Sequence, residues 1–262
     1  MSTRYSGLGH DKVVLVTAGA AGIGRCIAES FLAQQCRVHV CDINTEAISS
    51  FRDANPTASA TEADVGEASQ VEMVFSELQE RYGRLDVLVN NAGIAGPTAR
   101  VEDIAIEDWE QTINVDLNGP FYCTRQAVPL LKRNGGSIIN MASNAALFGC
   151  PQRSPYTAAK WALHGLTKTW AMELGASGIR VNALCPGSVD GPRIDAVIER
   201  DAAKRGVSTT AVRDIYAQQS SMGIFVQAQD IANMALFLAS DLGATISGQA
   251  IAIDGHTESL SG

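Results

Sequence analysis

Apolar runs and helix-length segments alternate along this chain. Runs such as VVLV (13–16) and VLV (87–89) are apolar at successive positions rather than at every second one. A strand buried on both faces between helical layers shows this pattern. The runs predict seven strands, over 12–17, 37–42, 59–65, 84–93, 136–143, 178–187 and 249–255.

Helix-length segments separate the predicted strands. One ends near Gln35, and the others cover 46–54, 69–82, 109–132, 155–174 and 228–238. Regular alternation of strands and helices predicts the α/β class, as a Rossmann-like doubly wound seven-stranded parallel sheet with helices on both faces. No repeat or linker interrupts the pattern, so residues 1–262 are predicted to form a single dinucleotide-binding and catalytic domain.

The segment 188–227 departs from the alternation. It holds two polar amphipathic pieces, IDAVIERDAAKRG (194–206) and STTAVRDIYAQQ (208–219). Ligands of an open α/β sheet bind at the carboxyl ends of its strands, and this segment follows such an end. We interpret it as a substrate lid; a plain surface insertion is the alternative.

Charge and composition exclude several classes of function. The 262 residues carry a formal net charge of -8, without a block of basic residues, which argues against nucleic-acid or anionic-membrane binding. The amino terminus has no apolar signal core and no later run is long enough to cross a bilayer, so a cytoplasmic location is predicted. The six cysteines stand singly and the four histidines share no ligand spacing, so we expect no metal site.

The glycine-rich stretch TAGAAGIG (17–24) follows the first strand. Glycines there let backbone N–H groups approach a pyrophosphate at the start of a helix. The segment from Gly19 to Cys26 also has the glycine spacing of a P-loop. However, Arg25 and Cys26 replace the lysine and the metal-binding hydroxyl of that motif, which disfavours nucleotide hydrolysis.

An acidic residue ends the second strand. Asp42 lies eighteen residues after Gly24, where a carboxylate accepts hydrogen bonds from the adenosine ribose. The same carboxylate repels the 2′-phosphate of NADP, and positions 20, 21, 43 and 44 hold no basic residue. The sequence therefore favours NAD. Asp64 and Val65, after the third strand, are placed to contact the adenine.

A tyrosine and a lysine stand four residues apart in SPYTAAKW (154–161). Residues at that spacing share one face of a helix, so the Lys160 ammonium lies beside the Tyr156 phenol. A neighbouring positive charge favours the phenolate, which is a proton acceptor. Ser154 suits an N-cap and Pro155 the first helical position.

Six motifs in order make the chain resemble the short-chain dehydrogenase/reductase family over nearly its whole length: TAGAAGIG, NNAG (90–93), Asn114 in INVDLNG, Ser143 in NMAS, YTAAK and the PG at 186–187. The resemblance implies that Tyr156 exchanges the substrate proton and that Lys160 activates Tyr156 and holds the nicotinamide ribose. It also implies that Ser143 binds the substrate oxygen and that Asn114 holds a water linked to Lys160. These four form the predicted catalytic set.

The resemblance also implies a set of cofactor contacts. They are Thr17, Gly19, Gly22, Ile23, Gly24, Asp42, Asp64, Val65, Asn91, Ala92, Gly93, Tyr156, Lys160, Pro186, Gly187 and Val189. Two positions depart from the family pattern. Ala18 replaces its first glycine, and we expect Gly19 to supply the same turn. Gly191 replaces a common threonine, which removes a contact to the nicotinamide amide.

Five residues are predicted to face the substrate: Ser143, Ala145, Gln152, Arg153 and Arg193. The two arginines suit a carboxylate, sulfonate or phosphate on the substrate. Leu147, Phe148, Ile224 and Phe225 suit a hydrophobic alcohol instead.

The predicted function is hydride transfer between NAD and a secondary alcohol or ketone. Two alternatives stay open: an NADPH-dependent carbonyl reductase of the 3-oxoacyl type, and a catalytically silent NAD-binding regulator. The resemblance implies a homotetramer, assembled through the helices over 109–132 and 155–174.

Overall fold

Seven parallel strands form one sheet in the computed structural model, which describes residues 5–258 and 260. The strand order is β3-β2-β1-β4-β5-β6-β7. The strands are Val13–Thr17 (β1), Arg37–Asp42 (β2), Ser59–Glu62 (β3), Val87–Asn90 (β4), Gly136–Met141 (β5), Ile179–Pro186 (β6) and Ala250–Ile253 (β7). The predicted Rossmann-like α/β fold is confirmed.

Helices cover both faces of this sheet. They are Gly22–Ala33 (α1), Thr45–Ala54 (α2), Ala68–Tyr82 (α3), Ile106–Ile113 (α4), Gly119–Leu131 (α5), Ser154–Leu174 (α6), Pro192–Arg205 (α7), Thr209–Gln218 (α8) and Ala228–Ala239 (α9). Among the helices in the described residues, none has both the length and the apolar character that a bilayer span requires.

The core is split into two layers by the sheet. Successive strand side chains point to opposite faces, so Val14 and Val16 pack with helices α1, α2 and α9, while Val13 and Leu15 pack with α3, α5 and α6. All four valine and leucine side chains are fully buried. Burying a side chain of this size stabilises the fold by about 1.5–3 kcal/mol, so both faces of β1 contribute.

The helix predicted over 109–132 is divided in two. A π-helical turn over Asn114–Asn118 separates α4 from α5, and the N–H of Gly119 bonds to the carbonyl of Asn114. Pro120 follows directly, and it has no N–H to complete the α-helical bond to the carbonyl of Asp116. The wide turn therefore forms where proline makes a regular α-helix incomplete.

The segment 188–227 forms α7 and α8 with a small core of its own. Ile198 and Ala202 of α7 pack against Val212 of α8. Hydrogen bonds from Val226 N–H to Ser188 O and from Asp190 N–H to Val226 O, both 2.8 Å, join the two ends of the segment. The segment is thus a two-helix excursion closed at its base.

Candidate active site

The sheet reverses its winding direction between β1 and β4, and the predicted site residues gather at the carboxyl ends of the central strands. The turn after β1 comes first. Ala18 adopts a left-handed conformation with φ of +48°, so the expectation that Gly19 supplies this turn is wrong. Gly19 is needed for close packing instead, because a Cβ there would lie 2.7 Å from both Val16 O and Val40 Cβ.

The start of α1 leaves its first N–H groups without a capping side chain. Ala21 occupies the N-cap position, and the first turn from Gly22 contains no acidic residue. The unpaired N–H groups and the helix dipole together favour an anion at this point. Gly22, Ile23 and Gly24 therefore lie where the sequence predicts a pyrophosphate.

Thr17 ties the turn after β1 to the turn after β4. Its hydroxyl accepts hydrogen bonds from the N–H groups of Asn91 (3.0 Å) and Ala92 (2.9 Å). The Asn91 amide in turn donates to the carbonyls of Thr17 (3.0 Å) and Ala18 (3.1 Å). These predicted cofactor residues thus form the joint between the two turns.

Asp42 stands at the end of β2 beside the glycine-rich turn. Its carboxylate accepts hydrogen bonds from Ala20 N–H and Asn44 N–H, both at 3.1 Å, which leaves lone pairs on both oxygens. Arg25, the basic residue next to the turn, is paired with Glu29 at 2.7 Å.

The residues predicted beside the adenine follow β3. Asp64 accepts a hydrogen bond from Gly66 N–H at 2.8 Å, and Val65 is buried. The carboxylate thereby shapes the turn that leads to α3.

Tyr156 and Lys160 both lie near the start of α6. The helix begins at Ser154 with Arg153 as its N-cap, so both predictions are off by one residue: Ser154 is the first helical residue and Pro155 the second. Lys160 Nζ lies 5.4 Å from the centre of the Tyr156 ring and donates to Met141 O at 3.1 Å. The lysine is 3% exposed, whereas the tyrosine is half-buried.

A carboxylate that the sequence reasoning did not single out contacts this lysine. Asp116 Oδ2 lies 3.2 Å from Lys160 Nζ, and Asp116 is fully buried. Asn114 points elsewhere, since its amide donates to Gly66 O and accepts from Asn118, both at 3.1 Å. A signal was present in the sequence: Asp116 shares the apolar helical face of Cys123 and Ala127.

Ser143 follows the end of β5, two residues after the carbonyl that binds Lys160. Its hydroxyl accepts from Ala145 N–H and donates to Asn144 Oδ1, both at 3.2 Å. Ala145 is buried behind it. The strand end therefore carries both the serine and the anchor of the lysine.

The cofactor residues predicted after β6 lie beside β7. Gly187 N–H donates to Ile253 O at 3.0 Å, and a Cβ on Gly187 would lie 2.8 Å from Asp254 Cβ. Pro186 ends the strand, and Val189 pairs with Val226 at the base of the 188–227 segment.

Three cations converge on the loop after β4. Arg153 donates to Ala95 O at 2.7 Å and lies 4.9 Å from the Tyr156 ring centre. Arg193 donates to Gly93 O at 3.1 Å, and Lys204 donates to Thr98 O at 3.5 Å. Lys204, which sequence reasoning missed, also bonds to the Gln152 side chain.

The structure agrees with a packing role for the cysteines. All six are free, and burial raises the pKa of Cys41 to about 12 and that of Cys185 to about 11, which keeps both thiols protonated. Across residues 5–258 and 260, no group of three His, Cys, Asp or Glu side chains is arranged to hold a metal ion.

Similarity to known proteins extends along nearly the whole chain. Residues 18–256 match the family model described as enoyl-(acyl carrier protein) reductase. The chain is 35% identical to the 3-oxoacyl-(acyl-carrier-protein) reductase FabG of Thermotoga maritima, over 94% of this chain and 97% of the relative. It is 37% identical to the trans-4-hydroxycyclohexanecarboxylate dehydrogenase of Sinomonas cyclohexanicum, over 97% of this chain and 95% of the relative.

A solved structure has the same fold. Actinorhodin polyketide ketoreductase with NADPH superposes with a TM-score of 0.89 at 33% identity, over 95% of this chain and 98% of the other. These matches agree with the strand order and with the motifs at the strand ends. The chain therefore belongs to the short-chain dehydrogenase/reductase family, whose members oxidise secondary alcohols or reduce ketones with a nicotinamide cofactor.

Proposed function

We propose that this protein is an NAD-dependent dehydrogenase of a secondary alcohol, with Tyr156 as the proton acceptor. The observation that carries the proposal is the placement of Lys160 beneath Tyr156, with its ammonium anchored to the strand end that leads to Ser143. Oxidation of an alcohol removes a proton from oxygen and a hydride from carbon. The half-buried Tyr156 would accept that proton as its phenolate and become the neutral phenol, and Ser143 would orient the substrate oxygen towards it.

The residues at the ends of β1 and β2 are suited to bind a dinucleotide. The uncapped start of α1 can accept the pyrophosphate, and the Asp42 carboxylate has lone pairs for the ribose hydroxyls. When bound, the nicotinamide accepts the hydride. Lys160, Asn91, Ala92, Gly93 and the segment from Pro186 to Val189 would hold the nicotinamide half.

We favour NAD over NADP because the Asp42 carboxylate would repel a 2′-phosphate. Arg25 is paired with Glu29 and so is not free to offset that repulsion. The NADPH-dependent reductase remains the second candidate, since one relative is named a 3-oxoacyl reductase and one similar structure contains NADPH. If NAD is the cofactor, Asp42→Ser should lower the ratio of kcat/KM for NAD to that for NADP at least about tenfold.

The deciding experiment follows absorbance of the reduced nicotinamide with NAD and, separately, NADP over a panel of secondary alcohols and hydroxy acids. Tyr156→Phe should reduce kcat about a thousandfold while the protein still binds cofactor. Binding of NAD without turnover on any alcohol would favour the silent regulator.

An anionic group on the substrate is our proposal for specificity. Arg153, Arg193 and Lys204 donate only to neutral oxygens within the described chain, and the Arg153 Nε is buried without a hydrogen-bond partner. A substrate carboxylate can replace those neutral acceptors with a charge-assisted pair. One relative is named for a carboxylate-bearing alcohol, which agrees with this class.

Comparing a hydroxy acid with its methyl ester tests the anionic class. Arg153→Gln should lower kcat/KM for the acid about 10- to 100-fold and leave the ester unchanged. Arg200→Gln, which removes the same charge from an exposed position of α7, is the matched control. Equal losses on acid and ester would refute the anionic class without touching the dehydrogenase proposal.

We further propose a cytoplasmic homotetramer in which residues 188–227 cover the substrate. Phe121 on α5 and Trp161 and Met172 on α6 are exposed apolar side chains suited to a contact between subunits. Light scattering after size exclusion, with Trp161→Glu as the variant, measures the assembly; an unchanged mass would exclude this face.

A further inference from the structure

The π-helical turn between α4 and α5 places the Asp116 carboxylate beside Lys160. In that turn the Gly119 N–H bonds five residues back to Asn114 O, so the turn is one residue wider than an α-helical one. Asp116 lies inside it and is fully buried, whereas Asn114 and Asn118 are only partly buried. The irregular turn therefore places one charged side chain on the inner side.

Asp116 and Lys160 form a buried ion pair that is also hydrogen-bonded at both ends. Asp116 Oδ2 lies 3.2 Å from Lys160 Nζ, and Asp116 Oδ1 accepts the Ile94 N–H at 2.7 Å. Lys160 Nζ donates to Met141 O at 3.1 Å. Asp116 Oδ2 is buried and has no hydrogen bond of its own, so the Lys160 charge at 3.2 Å is what compensates it.

The loop after β4 is packed directly on this pair. A Cβ on Gly93 would lie 3.2 Å from Lys160 Nζ and 3.3 Å from each Asp116 carboxylate oxygen. A side chain at Gly93 would therefore press on both members of the pair, and the ammonium is confined between the loop, the β5 carbonyl and the carboxylate. Its position beneath Tyr156 is fixed from three sides.

The charge of the pair differs from that of a lysine alone. An isolated ammonium beside a phenol stabilises the ionised form, the phenolate. A carboxylate 3.2 Å from that ammonium cancels most of its electric field a few ångströms further out. We propose that Asp116 is a positioning residue of the reaction, which holds Lys160 under Tyr156 as a neutral pair and thereby restrains ionisation of the phenol. This inference rests on the proposed function, in which Tyr156 accepts the proton.

Other charged and titratable groups lie near the pair, but Asp116 is the carboxylate that contacts Lys160. Arg153 from the start of α6 lies 4.9 Å from the Tyr156 ring, and Arg193 of α7 bonds to Gly93 O. On β6 the Cys185 thiol is kept protonated by burial, with Asp254 close to it; Asp64 lies near the outer side of the turn, at Gly66. Within the described residues, no second carboxylate forms an ion pair with Lys160.

The kinetic test replaces the carboxylate by an amide of the same shape. In Asp116→Asn the Lys160 charge is no longer cancelled, so the acid limb of the pH profile of kcat/KM should move to lower pH by about one unit. Asp116→Glu keeps the charge and should retain the wild-type midpoint. Asp108→Asn, an exposed carboxylate on α4, is the control for the change in net charge.

The outcomes separate positioning from simple structural support. A lower kcat at every pH with an unchanged midpoint in Asp116→Asn would overturn the proposal, and so would an equal shift in Asp108→Asn. Circular dichroism and thermal melting check that each variant is folded.

A spectroscopic titration of the wild-type protein needs neither turnover nor a folded Asp116 variant. Phenolate absorbance of Tyr156 is obtained as the difference between the wild type and Tyr156→Phe, both without cofactor. If Asp116 cancels the Lys160 charge, the phenolate absorbance should appear only at alkaline pH. Half-development below about pH 8 would contradict the neutral pair even if no alcohol substrate is ever found.

Discussion

The two walls of the crevice hold their polar groups in different ways. On the cofactor wall, formed by the ends of β1 and β2 and the turn after β4, short side chains such as Thr17 and Asp42 accept backbone N–H groups. On the lid wall, formed by residues 188–227, the long cations Arg193 and Lys204 reach across to backbone carbonyls. The first wall is largely buried, and the lid cations are exposed.

Because of this difference, the two walls should contribute differently to folding stability and to substrate binding. A short buried side chain loses little conformational entropy when it is fixed, and removing it leaves buried backbone groups unpaired. A long exposed cation is screened by water and contributes little to folding. Changes on the cofactor wall should therefore lower stability, whereas changes on the lid wall should alter substrate use.

Thr17→Val should give the largest effect, because it keeps the side-chain shape but removes the joint between the two turns. The Ala92 N–H would lose its buried acceptor and the Asn91 N–H would keep only its bond to Val89 O, which we expect to lower the free energy of unfolding by about 2–3 kcal/mol. Urea denaturation measures the loss. Thr210→Val on α8 of the lid is the matched control and should stay within about 0.5 kcal/mol; equal losses at the two sites would remove the distinction between the walls.

Acid should have the next largest effect on stability, through His39 in the middle of β2, the strand that ends at the cofactor wall. This β2 histidine is buried between Ser59 and Thr61, and burial lowers its pKa from 6.5 to about 4. The unfolded chain then binds more protons than the native one below pH 6.5, so stability is unaffected above that pH and falls as the pH drops towards 4. Between pH 8 and pH 5 the loss from this group should be about 2 kcal/mol.

His39→Gln serves as the control for that pH dependence. Because glutamine does not titrate, the drop in unfolding free energy between pH 8 and pH 5 should shrink by the same amount in the variant. An identical drop in both proteins would assign the acid sensitivity to other groups.

Arg213→Gln tests the lid wall, where a smaller effect on stability is expected. Arg213 pairs with Asp190 and Asp195 and stacks 4.4 Å from the Phe225 ring, joining α8 to the start of α7. These exposed pairs should change the unfolding free energy by less than about 1 kcal/mol. The KM of the organic substrate should rise severalfold while the Kd of NAD, measured by calorimetry, stays constant. A weaker NAD affinity instead would show that the lid also supports the cofactor wall.

The sequence predicted what periodicity and strand-end chemistry determine. Apolar runs located β1, β4 and the other central strands, because a strand buried on both faces has few polar positions, whereas β3 is polar at three of its four residues, SATE. The ends of those strands then brought Asp42, Ser143 and the Tyr156 region to one edge of the sheet. The fold and the predicted location of the site therefore followed from local patterns.

The features that the sequence did not predict depend on the three-dimensional neighbourhood. The helix over 109–132 appeared continuous because the effect of Pro120 on a bond four residues earlier is not visible in the apolar period. The resemblance implied that Asn114 acts with Lys160, whereas in the structure Asp116 makes that contact. The left-handed conformation of Ala18 was also missed, since alanine rarely adopts it.

Ala18→Gly gives the smallest predicted effect and the only one of opposite sign. Alanine at φ of +48° carries a left-handed penalty of about 1–2 kcal/mol, and glycine removes that penalty but loses about 0.5–1 kcal/mol through its more flexible unfolded chain. The variant should therefore be more stable by about 0.5 kcal/mol. Ala21→Gly, three residues later at φ of -142°, has no such strain to relieve and should be less stable by a similar amount. If both glycines destabilise the protein in urea, the turn after β1 holds Ala18 by packing that outweighs its backbone strain, and the rigidity of the cofactor wall then extends to the glycine-rich turn itself.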